Sequence, residues 1–269
     1  MIKLLFLGTG SAFTVGADNY HSNMLLINEQ GDKLLIDCGS DIRFSLHDQG
    51  MSYLDITDIY ISHLHSDHVG GLEYICFTTK FDPRCDRPNL YISKDIAGAL
   101  WQNTLSGGLT SVQGDINDLN SFFVVDKIAK NGHFTWQGIE FELVQVIHID
   151  NGYYLMPSYG LFFEVDGVKI FLTTDTQLQV EKMQEFYDRA DIIFHDCETS
   201  KFPTPVHAHY NDLVNLPTEI KRKMWLYGYQ PGPLPDAKQA GFLGFVHRGQ
   251  TFELSESCLK SVESVAVST

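Results

Sequence analysis

Cysteine is scarce in this chain of 269 residues, and what there is lacks pattern. Cys38, Cys76, Cys85, Cys197 and Cys258 are odd in number, widely scattered and form no Cys-x-x-Cys pair, which excludes a disulfide scaffold, a zinc knuckle and a dithiol redox motif. They read as reduced thiols. Long apolar runs are missing too: no stretch approaches the roughly 18 to 20 residues of a membrane span, and the opening Met1-Ile2-Lys3-Leu4-Leu5-Phe6-Leu7 is too short for a secretory signal. No membrane partner is expected, and a cytoplasmic location follows as the default. Basic residues are outnumbered, 19 Lys and Arg against 34 Asp and Glu, for a net charge of −15. Such a field repels phosphate backbones, so a long nucleic acid is not an expected partner. A small anionic substrate stays compatible, because a bound cation reverses the local potential.

What remains is ordinary globular composition, 43% hydrophobic and 20% charged, long enough for a full core. Residues 1–269 read as a single domain. Within it one stretch stands apart, Ile59-Tyr60-Ile61-Ser62-His63-Leu64-His65-Ser66-Asp67-His68-Val69-Gly70-Gly71. Alternate residues of an extended segment face the same way, so His63 and His65 project together from a strand end, and the following turn brings Asp67 and His68 to a neighbouring point. Neutral imidazoles and a carboxylate suit zinc and other first-row ions, with water sharing the site. Gly70 and Gly71 are expected to let the backbone turn beneath the ligands.

Around this stretch the pattern predicts a three-stranded opening meander (Lys3 to Leu7, Asn23 to Asn28, Lys33 to Ile36) and a helix from Ser40 or Asp41 to about Gln49. Further helices are expected over Leu72 to Thr78 and Lys94 to Asn103, the second capped by Ser93, with Gly107-Gly108 as a flexible loop. Strands follow at Phe122 to Asp126, Phe134 to Trp136 and Ile139 to Val146, placing His148 where a strand meets a loop. Asp166-Gly167 signals a hairpin between Tyr159 to Val165 and Val168 to Leu172. That hairpin delivers Asp175, which is either a carboxylate able to bridge two cations or the cap of a helix over Gln177 to Arg189. Met224 to Tyr227, Phe242 to Val246 and Thr251 to Leu254 suggest a second meander. Asp37, after an apolar strand, is either a turn former or a carboxylate orienting a histidine. His207 and His209 form a His-x-His pair in a Pro-bounded loop, as a second source of site histidines or as a partly exposed pair.

The set His63-x-His65-x-Asp67-His68, His148 and Asp175, with Leu7-Gly8-Thr9-Gly10 and Leu35-Ile36-Asp37-Cys38-Gly39, resembles the metallo-β-lactamase superfamily, and most closely its ribonuclease Z-like and cyclic-nucleotide phosphodiesterase-type members. The resemblance covers nearly the whole chain. It implies an α/β fold, a four-layer αβ/βα sandwich with a dinuclear site at one edge. By the same resemblance His63, His65 and His148 hold one metal, Asp67 and His68 the other, and Asp175 bridges them; the ions are zinc, or manganese or iron(II).

Two departures bear on function. The tRNA-processing members carry a long arm between the third and fourth motifs, but here only residues 149–174 separate His148 from Asp175, which leaves no room for it. A small phosphodiester such as a cyclic nucleotide is then the expected substrate, hydrolysed by a metal-activated water that Asp67 orients while His207 or His209 stabilises the phosphoryl oxygens or protonates the leaving group. The other departure is Gly228, which stands where the family has its last histidine ligand. Fewer ligands at the second metal, substitution by His207 or His209, or a ligand role for His247 are the alternatives. Tyr153 and Tyr154 are candidates for stacking on a base. A hydrolase of lactones, thioesters or other carboxyl-type bonds, and a non-catalytic metabolite- or partner-binding protein, are the competing readings; a homodimer is left open.

Overall fold

In the computed structural model, which describes residues 1–15 and 18–255, two seven-stranded sheets pack face to face. The first opens with β1 (Ile2–Phe6), β2 (Met24–Ile27), β3 (Lys33–Ile36), β4 (Asp58–Ile61) and β5 (Asn89–Ser93). A small ribbon of β6 (Ser111–Val112) and β7 (Asp115–Ile116) precedes its edge strand beside β5, β8 (Val124–Ile128). The second sheet runs through β9 (His133–Trp136), β10 (Ile139–Asp150), β11 (Leu155–Val165), β12 (Val168–Leu172), β13 (Ile192–Asp196), β14 (Met224–Tyr227) and β15 (Gly244–Phe245), and β16 (Thr251–Leu254) returns to pair with β1. Helices lie on the outside: α1 (Ile42–Asp48), α2 (Ser66–Val69), α3 (Leu72–Phe81), α4 (Lys94–Ala99) and α5 (Ser106–Leu109) follow strands of the first sheet, and α6 (Val180–Arg189), α7 (Tyr210–Leu213) and α8 (Thr218–Lys221) those of the second.

Strand alternation explains the layering. Ile170, Leu172, Ile192 and Phe194 point inward to the core between the sheets, while their neighbours Phe171 and Ile193 point outward to an apolar layer with Met183 and Tyr187 of α6 and Ile220 of α8. These central strands are buried on both faces and so read as continuous apolar runs. A run of aromatic rings, Tyr91, Phe134 and Phe141, stacks at 4.5 and 4.8 Å and helps join the sheets. Beside this run, with its ring stacked on Phe134 at 5.7 Å, Tyr60 of the first sheet donates its hydroxyl to the Tyr159 carbonyl of the second (2.7 Å), and the Tyr159 amide donates to the Ser62 carbonyl (3.2 Å).

The opening meander, the Ser93 cap and the Asp166-Gly167 hairpin are as expected, the last with positive φ at both turn residues (49° and 79°). Four expectations are corrected. The late strands make no second meander: β12 to β15 run parallel, with helices in the first two crossovers and a loop in the third, and β16 leaves for the other sheet. Gly107 and Gly108 lie in α5, and the helix over Lys94 continues through a π-helical stretch, Leu100–Leu105, instead of stopping. The helix after Asp175 starts only at Val180 with Gln179 as its cap, which frees Asp175 from capping. His148 lies inside β10 and not beyond it. Cys38, Cys76, Cys85 and Cys197 are free thiols, and Cys258 lies outside the described residues. No helix among the described residues is long and apolar enough to cross a membrane.

Candidate metal centre

Parallel strands end together, and the loops at their carboxyl ends gather the polar residues at one edge of the sandwich. β3 delivers Asp37, β4 delivers His63 and His65, β12 delivers Asp175 and β13 ends at Asp196. His148 arrives differently. The β10/β11 register slips between Ile147 and Ile149, opposite Pro157, which has no amide hydrogen to offer the ladder; His148 is the bulged residue, and its side chain is completely buried in the site.

The metal loop is seated on the loop after β3 by backbone contact. Cys38 N–H donates to the His68 carbonyl (2.7 Å), Gly71 N–H to the Cys38 carbonyl (2.9 Å) and Ser40 N–H to the Ser66 carbonyl (3.2 Å). A Cβ on Gly39 would lie 2.1 Å from the Asp67 carbonyl oxygen, and one on Gly71 would lie 2.3 Å from that of Gly39. Gly71 has an ordinary φ of −90°, so its role is close approach and not an unusual turn.

Asp37 then fixes the ring orientations. Held at φ 63°, its carboxylate accepts from the Ser62 amide (2.8 Å), the Ser62 hydroxyl (2.7 Å) and His68 Nδ1 (2.7 Å). Because the Ser62 hydroxyl donates to a carboxylate, its lone pair is left to accept from His63 Nδ1 (3.0 Å). His148 Nδ1 likewise donates to the Val206 carbonyl (2.8 Å). In each ring the proton sits on Nδ1, so the Nε2 lone pair faces inward. Of its two readings, Asp37 is therefore the orienting carboxylate.

Those inward atoms make one cluster. His65 Nδ1 is 3.1 Å from both His63 Nε2 and His148 Nε2, and Asp175 Oδ2 is 3.9 Å from each of the latter. His68 Nε2 lies 3.2 Å from Asp67 Oδ2 and 3.3 Å from Asp175 Oδ2. Asp175 is thus common to a His63/His65/His148 group and an Asp67/His68 group. Burial, with neighbouring imidazoles, holds His63 and His65 below the ordinary histidine pKa, as neutral ligands require. Burial disfavours charge on His68 too, but Asp175, Asp67 and Asp37 outweigh it and push its pKa well up. The donor set fits divalent cations: a single proton on His65 would satisfy one of its two facing nitrogens, whereas a cation serves all three rings and the carboxylates together.

His207 adjoins this centre. Its Nδ1 donates to Asp196 Oδ2 (2.7 Å), and the Nδ1 atom is 4.0 Å from Asp175 Oδ2. Burial opposes its charge, but the Asp196 carboxylate wins and lifts its pKa to about 10. His209 is not brought to the site: its Nδ1 accepts from the Asn211 amide at the start of α7 and its Nε2 faces the Ser200 carbonyl (2.9 Å), a capping role. His247 is exposed beside Gln250, away from the cluster. Tyr153 and Tyr154 are exposed, in the loop between β10 and β11. Asp196 is not singled out by any motif; its one signal in the sequence is its place at the end of an apolar strand, Ile192–Asp196, as with Asp37 after β3.

Fold and site together define a metallo-β-lactamase sandwich with a His/Asp centre competent to bind metal. Solved structures of similar shape include the metallo-β-lactamase fold protein YhfI from Bacillus subtilis (TM-score 0.71, 16% identity, 93% of this chain and 98% of that one) and a diphosphatase from the PhnP family (TM-score 0.69, 20% identity, 94% and 98%). The family model described as anti-Pycsar protein Apyc1 matches residues 2–252, and the chain belongs to that family. A curated relative of that description from Paenibacillus harenae is 36% identical over 85% of this chain and 90% of its own length.

The orienting role of Asp37 gives a first expected result. Asp37→Asn keeps the shape but has one acceptor oxygen, without full charge, for the three donors, and cation affinity measured against a chromophoric chelator is expected to fall by roughly 10- to 100-fold.

Proposed function

We propose that this protein is a metal-dependent phosphodiesterase acting on a small phosphodiester, a cyclic nucleotide being the substrate class it fits. The observation that carries this reading is the position of Asp175 Oδ2 between the two ligand groups, an arrangement for two adjacent cations. Zinc suits the three-imidazole group, and the more oxygen-rich Asp67/His68 group also suits manganese or iron(II). Bound, the cations supply positive charge for the phosphoryl oxygens and an acidified water as nucleophile.

The chain's own residues do the rest. Asp37 locks His68 directly and His63 through Ser62, so the inward face is set before substrate arrives. Asp67 lies on that face as an acceptor for the attacking water. His207, with Nδ1 committed to Asp196 and a side chain 18% exposed, has Nε2 left to deliver a proton to the departing sugar oxygen. The small size of the substrate is supported by residues 149–174, which are consumed by the end of β10, by β11 and by β12, leaving no protruding arm between the third and fourth motifs.

The test is hydrolysis of bis-p-nitrophenyl phosphate and a panel of cyclic nucleotides by chelator-stripped protein reloaded with zinc or manganese, run beside lactone and thioester substrates. Turnover of a phosphodiester at a rate well above the esters is expected. Metal-loaded protein that cleaves no phosphodiester would overturn the reading.

A further inference from the structure

The chain contains two Asn-Gly pairs, Asn131-Gly132 and Asn151-Gly152, and the fold treats them differently. An Asn-Gly pair is chemically labile because glycine has no Cβ to keep its backbone nitrogen away from the carboxamide carbon of the preceding residue. Whether the pair reacts depends on how freely those two atoms meet and on how strongly the carboxamide carbonyl is polarised.

Gly132 is held in place. Its N–H donates to the Ala129 carbonyl (2.8 Å), its carbonyl accepts from the Leu143 amide (3.0 Å), and a Cβ on it would lie 2.7 Å from the Ala129 oxygen. Turning this peptide towards the Asn131 side chain would break main-chain bonds that tie the turn to β10. Gly152 is exposed with φ 80°, nothing lies within 4 Å of where its Cβ would be, and its N–H donates to a side chain, Asp150 Oδ1 (2.9 Å). The Asn151 carboxamide is polarised as well. Its Oδ1 accepts from the amides of Tyr153 (3.0 Å) and Tyr154 (2.8 Å), donors whose hold strengthens as negative charge gathers on that oxygen during attack at Cγ. Asn151 is itself exposed, so water reaches the leaving nitrogen.

The geometry points to Asn151-Gly152 as a site of spontaneous deamidation in the loop that follows the His148 bulge. The Gly152 nitrogen bonds to Asn151 Cγ and gives up its proton to hydroxide, the Cγ–Nδ2 bond breaks, and Nδ2 takes a proton from water and leaves as ammonia. Water then opens the resulting succinimide at either carbonyl, to aspartate or isoaspartate, with no change of oxidation state. Either product adds a negative charge, and isoaspartate also lengthens the main chain by a methylene just before Tyr153 and Tyr154.

Peptide mapping by mass spectrometry, with an isoaspartyl methyltransferase assay to count the isomer, reads the reaction on the full chain aged at mildly alkaline pH. In the folded protein residue 151 is expected to convert at least about tenfold faster than residue 131, whereas in guanidinium chloride, where both pairs are free, the two rates should agree within about threefold. A folded-state ratio no greater than the unfolded one, or an Asn151 that keeps its amide in the folded chain while losing it in the unfolded one, would overturn the assignment. Conversion at residue 151 to aspartate without isoaspartate would also overturn it, because direct hydrolysis and not ring closure would then be the route.

Discussion

His63→Ala is expected to lower phosphodiester turnover by at least about a thousandfold, roughly 4 kcal/mol of transition-state stabilisation, with loss of one tightly held ion. The size follows from position. His63 Nε2 is 3.1 Å from His65 Nδ1 and 3.9 Å from Asp175 Oδ2, so removing it opens the three-imidazole group and loosens the carboxylate shared with the other group. Stability should respond in a characteristic way. In the metal-free protein the three inward nitrogens repel one another, and deleting one ring relieves that repulsion against the cost of the cavity it leaves. The melting temperature of the metal-free variant should therefore stay close to that of the metal-free wild type, while the rise on adding zinc, which reports binding to the native state, should shrink sharply. Unchanged turnover, measured with metal content verified, would remove His63 from the site.

How much of this was legible in the sequence depends on whether the determinant was local. His63, His65, Asp67 and His68 sit within six residues on a strand end and one turn of helix, so their spacing alone fixes their geometry. The Asp166-Gly167 hairpin was legible for the same reason. His148 was found as a residue but misplaced, because the bulge that aims it is set opposite Pro157 on the partner strand. Asp37 stayed ambiguous between turn and ligand support until Ser62 and His68 were seen to converge on it from β4 and α2. The apolar segments 192–194 and 224–227 gave no direction, since strands buried on both faces lack the alternation that marks a meander. His195 and Asp196, adjacent at the end of β13, were singled out by neither spacing nor motif. The structure commits His195 to Tyr187 (2.7 Å), where burial lowers its pKa to about 4, and pairs Asp196 with His207 (2.7 Å).

His207→Ala carries the other large effect, and its pattern separates proton delivery from structural support. With a cyclic nucleotide, whose leaving group is a strongly basic sugar alkoxide, the rate is expected to fall by about 10² to 10⁴ while bound metal is retained. With bis-p-nitrophenyl phosphate the loss should be much smaller, because p-nitrophenolate departs without a proton. The pH profile follows from sign. An acid must be protonated to act, and the Asp196 carboxylate lifts the His207 pKa to about 10 in the metal-free protein. The active form is therefore populated through neutral pH and is lost as pH rises towards that value, while cations bound nearby draw the limb downward. Wild-type turnover of the cyclic nucleotide should decline on the alkaline side, and the variant should lack that decline. Equal losses on both substrates would instead assign His207 to holding Asp196 in place, since a positioning defect does not distinguish a good leaving group from a poor one.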